Sequence, residues 1–415
     1  MTRKEGTSMI DELHSKLKTF GQEHLLTGIE TLTSSARETY LAALNRLDLP
    51  YLTSLYRHAD VSPTLSGTIS PCRSVAADQL TTDESAAYLA CGRQLIHDGA
   101  VAVVTMAGGQ GTRLGYHGPK GCFDVGVGTS LFGLLAGRIR HLEAETGGCV
   151  PWYIMTSVEN HAETVAFFEQ NDHFGLSPDR IFFFRQGMLP LLDTAGRILL
   201  ADAGKIAEGP DGNGGVFAAL AASGALDDMA ARQIQHVFFC GIDNALARPA
   251  DPLFVGFFER DGAPCASKSV RKSAPEERVG VFCLKDGHPC VIEYTELTPD
   301  MRAATNDAGA LLYGDANIVT HMLRFDALKT VCSQGLPMHT AHKAIPYYAI
   351  ESGTHITPDK PNALKFESFI FDAFASLDRM VVFQVERTRE FAPVKNASGT
   401  DSPETALNLL RQNGY

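Results

Sequence analysis

Two cations set beside a run of glycines are the residues whose types and spacing most directly suggest chemistry. Gly108, Gly109, Gly111 and Gly115 follow the apolar stretch Val101–Met106, with Arg113 inside the run and Lys120 just beyond it. Glycine permits positive φ and lets a backbone approach a ligand closely, so successive N–H groups can face an anion. Arginine and lysine at the same turn add fixed positive charge, and the chemistry that fits is phosphate binding at the carboxyl end of a buried strand. Two common phosphate motifs are excluded. A P-loop requires Gly-Lys-Ser/Thr after its second glycine, whereas Gly115 precedes Tyr116 and His117. The dinucleotide fingerprint places its third glycine three residues after the second, whereas Gly111 and Gly115 are four apart. The glycines alone fit a plain strand-to-helix turn equally well; Arg113 and Lys120 favour the phosphate.

Other residues carry weaker signals. Asp243 and Asn244 follow the apolar stretch 235–240, where a carboxylate could hold Mg²⁺, although the same pair makes a good turn or helix cap. No second carboxylate stands out as a partner ligand. Asp211-Gly-Asn-Gly-Gly215 could lay the Gly212 backbone against a flat base and the Asn213 amide on a sugar hydroxyl, or simply start the helix Val216–Ala222. Gln186 follows a strand of phenylalanines and could read a pyrimidine edge, or be an ordinary exposed residue. Glu293 and Tyr294 end an apolar strand and could bond a sugar or mark a sheet edge. Lys365 and Lys395 are isolated lysines, solvated by default. His117, His161, His321 and His342 show no nucleophile or zinc spacing and read as structural or surface residues.

Composition bounds the partners. The chain has 415 residues, a net charge of −12 and nine cysteines without a CxxC pair. Such acidity argues against general nucleic-acid binding or attachment to an anionic membrane, and an anionic substrate would need a locally basic pocket. The cysteine pattern suits reduced thiols in the cytoplasm. The first eight residues are too polar for a secretory signal, and no apolar run approaches a membrane span.

The elements that must position these residues are those of an α/β protein. Residues 9–97 read as mostly helical, with Ile10, Leu13, Leu17 and Phe20 on one face. Ser35 and Glu38 could form a capping box for a helix turning Tyr40, Leu41, Leu44 and Leu47 inward, 60–73 reads as a loop, and 83–97 as a helix. From Val101 onward, strands alternate with helices, the pattern of a mostly parallel sheet with helices on its faces. Strands are expected at Trp152–Thr156, Ile181–Arg185, 235–240, around 282–296 and at 380–386. Helices are expected from Val158, capped by Ser157, and near 366–375.

Taken together, the motifs resemble those of the UDP-N-acetylhexosamine pyrophosphorylases, of the UDPGP type 1 family. The resemblance rests on Gly108-Gly-Gln-Gly-Thr-Arg-Leu-Gly115 with Pro119-Lys-Gly121, Tyr153-Ile-Met-Thr-Ser157, Phe184-Arg-Gln-Gly-Met-Leu-Pro190 and Pro210-Asp-Gly-Asn-Gly-Gly215. It continues through Ile242-Asp-Asn244, Glu293-Tyr-Thr-Glu296, Pro361-Asn362 with Lys365, and Glu390-Phe-Ala-Pro-Val-Lys-Asn396, and spans from about Gly21 to about Ala406. It implies a Rossmann-like, GT-A-like nucleotidyltransferase: a mixed sheet flanked by helices, with an N-terminal helical region (1–97), a catalytic core (98–345) and a C-terminal segment (346–415). The implied reaction joins UTP and N-acetylglucosamine 1-phosphate into UDP-N-acetylglucosamine and pyrophosphate, with Mg²⁺ or Mn²⁺, in a cytoplasmic monomer or weak homodimer.

By the same resemblance, Gly108, Gly109, Gln186 and Gly212 hold the uracil end of UTP, and Arg113 and Lys120 face its phosphates. Asp243 and Lys365 bind UTP or its metal, Asn213, Glu293, Tyr294 and Asn317 hold the amino sugar, and Lys395 contacts the sugar phosphate. Three departures are visible: Ala316 where the family usually has glycine, Ala344 where relatives commonly repeat lysine, and only a short extension past Asn396. The absence of a longer tail means assembly through one is not implied. Use of N-acetylgalactosamine 1-phosphate is compatible with the same pocket. A UDP-glucose or broader UDP-sugar pyrophosphorylase is the neighbouring alternative, and a non-catalytic UDP-sugar-binding regulator is an alternative of another class.

Overall fold

Val101–Met106 is buried along its whole length, and the rest of the larger part of the molecule is built outward from it. The computed structural model describes residues 3–59 and 67–415, with side chains from Ile10 onward. Two compact units form, each drawn from separated stretches: Met1–Pro63, Met188–Gly212 and Pro337–Ser368 in one, Thr64–Gly187, Asn213–Leu336 and Phe369–Tyr415 in the other. The division at 97 and 345 follows chain order; compactness groups the same residues differently.

The smaller unit begins with helices α1 (Arg3–Thr19), α2 (Ser34–Arg46) and α3 (Leu49–His58). Leu13 and Leu17 are buried with Tyr40, Leu41 and Leu44, and Ile10, Phe20 and Leu47 pack partly buried against them, the inward faces expected from spacing. The cap of α2 differs from the expected Ser35–Glu38 box. Thr33 Oγ1 accepts from the Ala36 amide at 3.3 Å, so an orphan donor is already satisfied two residues earlier. Short antiparallel ladders complete the unit, pairing Met188–Pro190 with Glu208–Pro210 and His339–Lys343 with Ala363–Glu367.

The larger unit holds an 11-stranded mixed sheet. Its strands in chain order are β1 (Ile69–Pro71), β2 (Ser74–Ala76), β3 (Val101–Met106), β4 (Trp152–Thr156), β5 (Ile181–Arg185) and β6 (His236–Gly241). They continue as β7 (Cys265–Arg271), β8 (Val281–Lys285), β9 (His288–Ile292), β10 (Asp315–Arg324) and β11 (Met380–Gln384). The main order is β2-β11-β7-β10-β6-β3-β4-β5, with β8 on β10 and both β1 and β9 on β8. β6, β3, β4 and β5 run parallel; β10 is antiparallel to both its long neighbours. β3 therefore has β4 on one side and the much later β6 on the other. Such a reversal of strand order opens a crevice at the carboxyl ends of the strands.

Helices cover both faces, so central strands are apolar on both sides rather than alternating. Val101 and Val103 join the cluster under α4 (Thr82–His97), α5 (Leu131–Thr146), α6 (His161–Gln170) and α9 (Pro252–Asp261). Ala102, Val104 and Met106 join the opposite one, beneath α7 (Val216–Ala222), α8 (Ala225–Ala231) and α10 (Phe325–Gln334). No helix among the described residues is long and apolar enough to cross a membrane.

The local expectations fared unevenly. Within the expected loop 60–73, residues 60–66 lie outside the described residues, while Ile69–Pro71 pairs as an edge strand, a place where proline costs no interior ladder bond. Residues 366–375 do not form the expected α-helix; 363–367 is a strand and Ile370–Ser376 a 3₁₀ helix. α6 starts at His161 rather than Val158, because Ser157 and Asn160 bond each other: the Ser157 amide donates to Asn160 Oδ1 at 2.8 Å and the Asn160 amide to Ser157 Oγ at 3.2 Å.

Candidate active site

The glycine stretch leaves β3 and folds back on itself. The Gly111 amide donates to the Gly118 carbonyl at 2.9 Å and the Lys120 amide to the Gly109 carbonyl at 3.0 Å, with Gln110 and Pro119 bridged between them. Arg113 sits exposed in the turn Thr112–Leu114, and Lys120, half-buried, opens the next turn. Buried Asn160 braces the loop from α6, its Nδ2 donating to the carbonyls of Ala107 at 3.1 Å and Gly109 at 3.4 Å. Gln186 arrives from the end of β5, its amide bonded to the Thr156 carbonyl at 2.7 Å. Its side chain lies against Gly108: a Cβ there would stand 2.5 Å from Gln186 Oε1, so any larger residue would push the Gln186 amide aside. Gly108, Gly109 and Gln186 thus share one wall.

A second group forms at the end of β6. The Val394 amide donates to the Asp243 carbonyl at 2.8 Å. Asn244 is nearly buried; its Oδ1 accepts from the amides of Leu246 at 3.1 Å and Ala392 at 2.9 Å, and its Nδ2 donates to the Glu390 carbonyl at 2.7 Å. Residues 390–394 are thereby laid along the 243–246 turn, and Lys395 follows, its own amide on the Asp401 carbonyl at 2.7 Å. Burial holds the Lys120 ammonium below the ordinary lysine pKa; Lys395 and Arg113 push it the same way, and Asp243 opposes them. Three cations and one carboxylate therefore share an electrostatic neighbourhood in a protein of net charge −12. Such a cluster can neutralise several phosphates held at close quarters.

Asp243 also bears on a divalent cation. Gly241 leaves its carboxylate room, since a Cβ there would lie 2.7 Å from Asp243 Oδ1. Among the described residues no group of three or more His, Cys, Asp or Glu side chains could form a protein cage. A small hard cation is commonly held by one or two carboxylates, waters and phosphate oxygens, so the donor set fits a metal shared with a polyphosphate.

Glu293 and Tyr294 follow β9 in a turn where the Glu293 amide donates to Glu296 Oε2 at 3.1 Å and Arg302 donates to the Tyr294 carbonyl at 2.8 Å. Asn317, on β10, donates its amide to the Gly280 carbonyl at 2.8 Å, and a Cβ on Gly280 would be 3.0 Å from Glu293 Oε1. Glu293 and Asn317 hence adjoin the same glycine. Asn317 Oδ1 accepts from the Val319 amide at 2.9 Å, where the pairing with β7 is bulged and Val319 takes a left-handed φ of 53°. Ala316 is enclosed in the core cluster with Ile318, on the face of β10 opposite Asn317, so its methyl fills core. Asn213 Oδ1 accepts from the Ile370 amide at 2.9 Å, beside the stacked rings of Phe369 and Phe371.

Two of the expected site residues belong to the smaller unit. Gly212 has a left-handed φ of 87°, and any Cβ there would overlap the Ser368 carbonyl; the Ser368 amide donates to the Asp211 carbonyl at 2.7 Å. Lys365, half-buried on the strand 363–367, donates to Glu367 Oε1 at 2.7 Å. The histidines take structural or surface places: His321 is fully buried, burial pushing its pKa down to about 3, and His161 bonds Thr156 at 2.8 Å. Asn160 was missed in the sequence, where it reads as one more polar residue after a strand; Asn244 was read with Asp243 as a turn or cap pair, and its bond from the Leu246 amide makes that turn.

Known proteins resemble this chain along most of its length. The family model described as UTP–glucose-1-phosphate uridylyltransferase matches residues 61–412. The chain is 38% identical to UDP-N-acetylglucosamine diphosphorylase 2 of Arabidopsis thaliana, over 96% of this chain and 82% of that protein. It is 36% identical to the UDP-N-acetylglucosamine pyrophosphorylase of Saccharomyces cerevisiae, over 97% of this chain and 86% of that protein. Among solved structures, the UDP-N-acetylglucosamine pyrophosphorylase of Trypanosoma brucei in complex with an inhibitor superposes with a TM-score of 0.83 at 31% identity, covering 96% of this chain and 84% of that one.

Proposed function

The chain belongs to the UTP–glucose-1-phosphate uridylyltransferase family, and from that premise we propose that it makes UDP-N-acetylglucosamine and pyrophosphate from UTP and N-acetylglucosamine 1-phosphate. The observation that carries the reading is the gathering of Asp243, Lys395 and Arg113 about Lys120, with the Lys395 segment bonded to the Asp243 turn at the carboxyl end of β6. A phosphate monoester has a second pKa near 6, so the sugar phosphate arrives largely as a dianion and needs no general base. Its oxygen attacks the α-phosphorus of UTP in line, a new P–O bond forms, and the bond to pyrophosphate breaks. The remaining work is positioning and neutralising phosphates that repel one another.

In this reading Gly108, Gly109, Gln186 and Gly212 hold the uracil end, with Lys365 also on UTP. Arg113 and Lys120 offset charge on the triphosphate, and Lys395 holds the attacking phosphate. Asn213, Glu293, Tyr294 and Asn317 hold the sugar. Asp243 would hold a divalent cation, Mg²⁺ or Mn²⁺, which supplies charge neutralisation across phosphate oxygens when bound. All nine cysteines are free thiols, which suits a cytoplasmic enzyme.

Pyrophosphate release with UTP and a panel of sugar 1-phosphates tests the proposal. N-acetylglucosamine 1-phosphate should be the preferred substrate. Release with glucose 1-phosphate alone would overturn the substrate, and no release with any sugar would favour a binding protein.

A further inference from the structure

We propose that Lys268, Asp251 and Glu390 form a buried charge network that positions Lys395 against Asp243. The inference rests on the function proposed above, since it assigns these three as positioning residues for that reaction. Lys268, on β7, is fully buried, and its Nζ donates to Asp251 Oδ2 at 2.7 Å and to Glu390 Oε1 and Oε2 at 3.0 and 2.9 Å. The two carboxylates are themselves nearly buried, and Arg248 approaches them at 3.7 and 3.5 Å. Taking such charges out of water costs more than packing apolar side chains in the same space, so the network is a poor device for stability alone. Position is what it fixes. Asp251 stands at the start of α9, Lys268 in the middle of a sheet strand, and Glu390 at the head of the segment that ends in Lys395.

Two further anchors follow within four residues of Glu390. Asn244 takes both the Glu390 carbonyl and the Ala392 amide, and the Asp243 carbonyl takes the Val394 amide. With Glu390 drawn inward by Lys268, the chain has one register along the Asp243 turn, and Lys395 follows directly after the residue whose amide the Asp243 carbonyl holds, within electrostatic reach of Lys120. Release of Glu390 frees the head of the segment and lets Lys395 move away from its place without touching the UTP wall at Gly108 and Gln186.

The test uses Glu390→Gln and Asp251→Asn, which keep side-chain shape and remove one charge. Kinetics are read with UTP and N-acetylglucosamine 1-phosphate, next to thermal melting and hydrogen exchange of the 392–396 amides. The expected result is a KM for the sugar phosphate raised about tenfold or more, a KM for UTP changed less than about twofold, and faster exchange confined to 392–396. Unchanged constants with a lowered melting temperature would make the network merely structural and overturn the proposal, as would equal rises in both KM values. Should Glu390→Gln fail to fold, Asp251→Asn carries the same comparison, because it removes the second carboxylate that fixes the Lys268 ammonium and so loosens its hold on Glu390. If the unmodified enzyme released no pyrophosphate with any sugar 1-phosphate, the proposed function would fall; unchanged exchange at 392–396 would still overturn the positioning separately.

Discussion

Arg113 is exposed at the tip of a short turn, so truncating it removes charge without opening the core. Arg113→Ala is expected to lower kcat by about 10²–10³-fold, the usual effect of deleting one group that stabilises transition-state charge, with melting unchanged. Near-normal turnover would remove it from the mechanism. Lys120 makes a pH prediction. Its ammonium is held below the ordinary lysine value, chiefly by burial, so the free enzyme loses this charge at lower pH than a solvated lysine would. Since the proposed role of Lys120 on the triphosphate needs its protonated form, kcat/KM for UTP should fall as pH rises through that value. Lys120→Arg stays charged and should carry the fall to higher pH; an unmoved alkaline limb would exclude Lys120 as its source. Residues legible in the sequence were those whose signal is local, such as Arg113 and Lys120 beside their glycines. Lys268 was silent, and Asn244 and Glu390 showed only as members of local motifs, because the partners that fix them lie 146 and 122 residues away in the chain.

At the scale of elements, α4 and α9 cross so closely that each brings a glycine against the other's backbone. A Cβ on Gly92 would overlap the Pro252 carbonyl, and one on Gly256 the Tyr88 carbonyl. Gly92→Ala must push the helices apart and is expected to cost about 1–3 kcal/mol, read as a lowered denaturant midpoint at constant slope. An unchanged midpoint would show that the crossing yields without strain. Strands such as β3 and β4 were readable as short apolar runs, and α7 ended where its small and apolar residues did. The long strand β10 was not, since His321 and Thr320 interrupt its apolar run and a bulge breaks its alternation. The 366–375 stretch misled because Phe366, Phe369, Ile370 and Phe374 mimic a helical face while the first two residues pair as a strand.

For the whole molecule, the α/β class followed from alternating strands and helices, which promised a mostly parallel sheet. Antiparallel β10 and the pairings of β1, β8 and β9 make it mixed, as the family resemblance implied, and the two units were not foreseen. Each is assembled from three separated stretches, and a linear reading of composition carries no mark of where 188–212 or 337–368 will pack. The order β6-β3-β4 was equally hidden, and it is what brings Asp243 and, through Asn244, Lys395 to the loop that carries Arg113 and Lys120. In the function proposed here, this cluster joins a sugar phosphate to the α-phosphorus of UTP. Its most direct test is the fate of ¹⁸O in N-acetylglucosamine 1-phosphate labelled throughout its phosphate, followed by mass spectrometry after incubation with UTP. UDP-N-acetylglucosamine should keep all of the label and pyrophosphate should have none; label in the pyrophosphate, or no nucleotide sugar, would rule out attack by the sugar phosphate on the α-phosphorus.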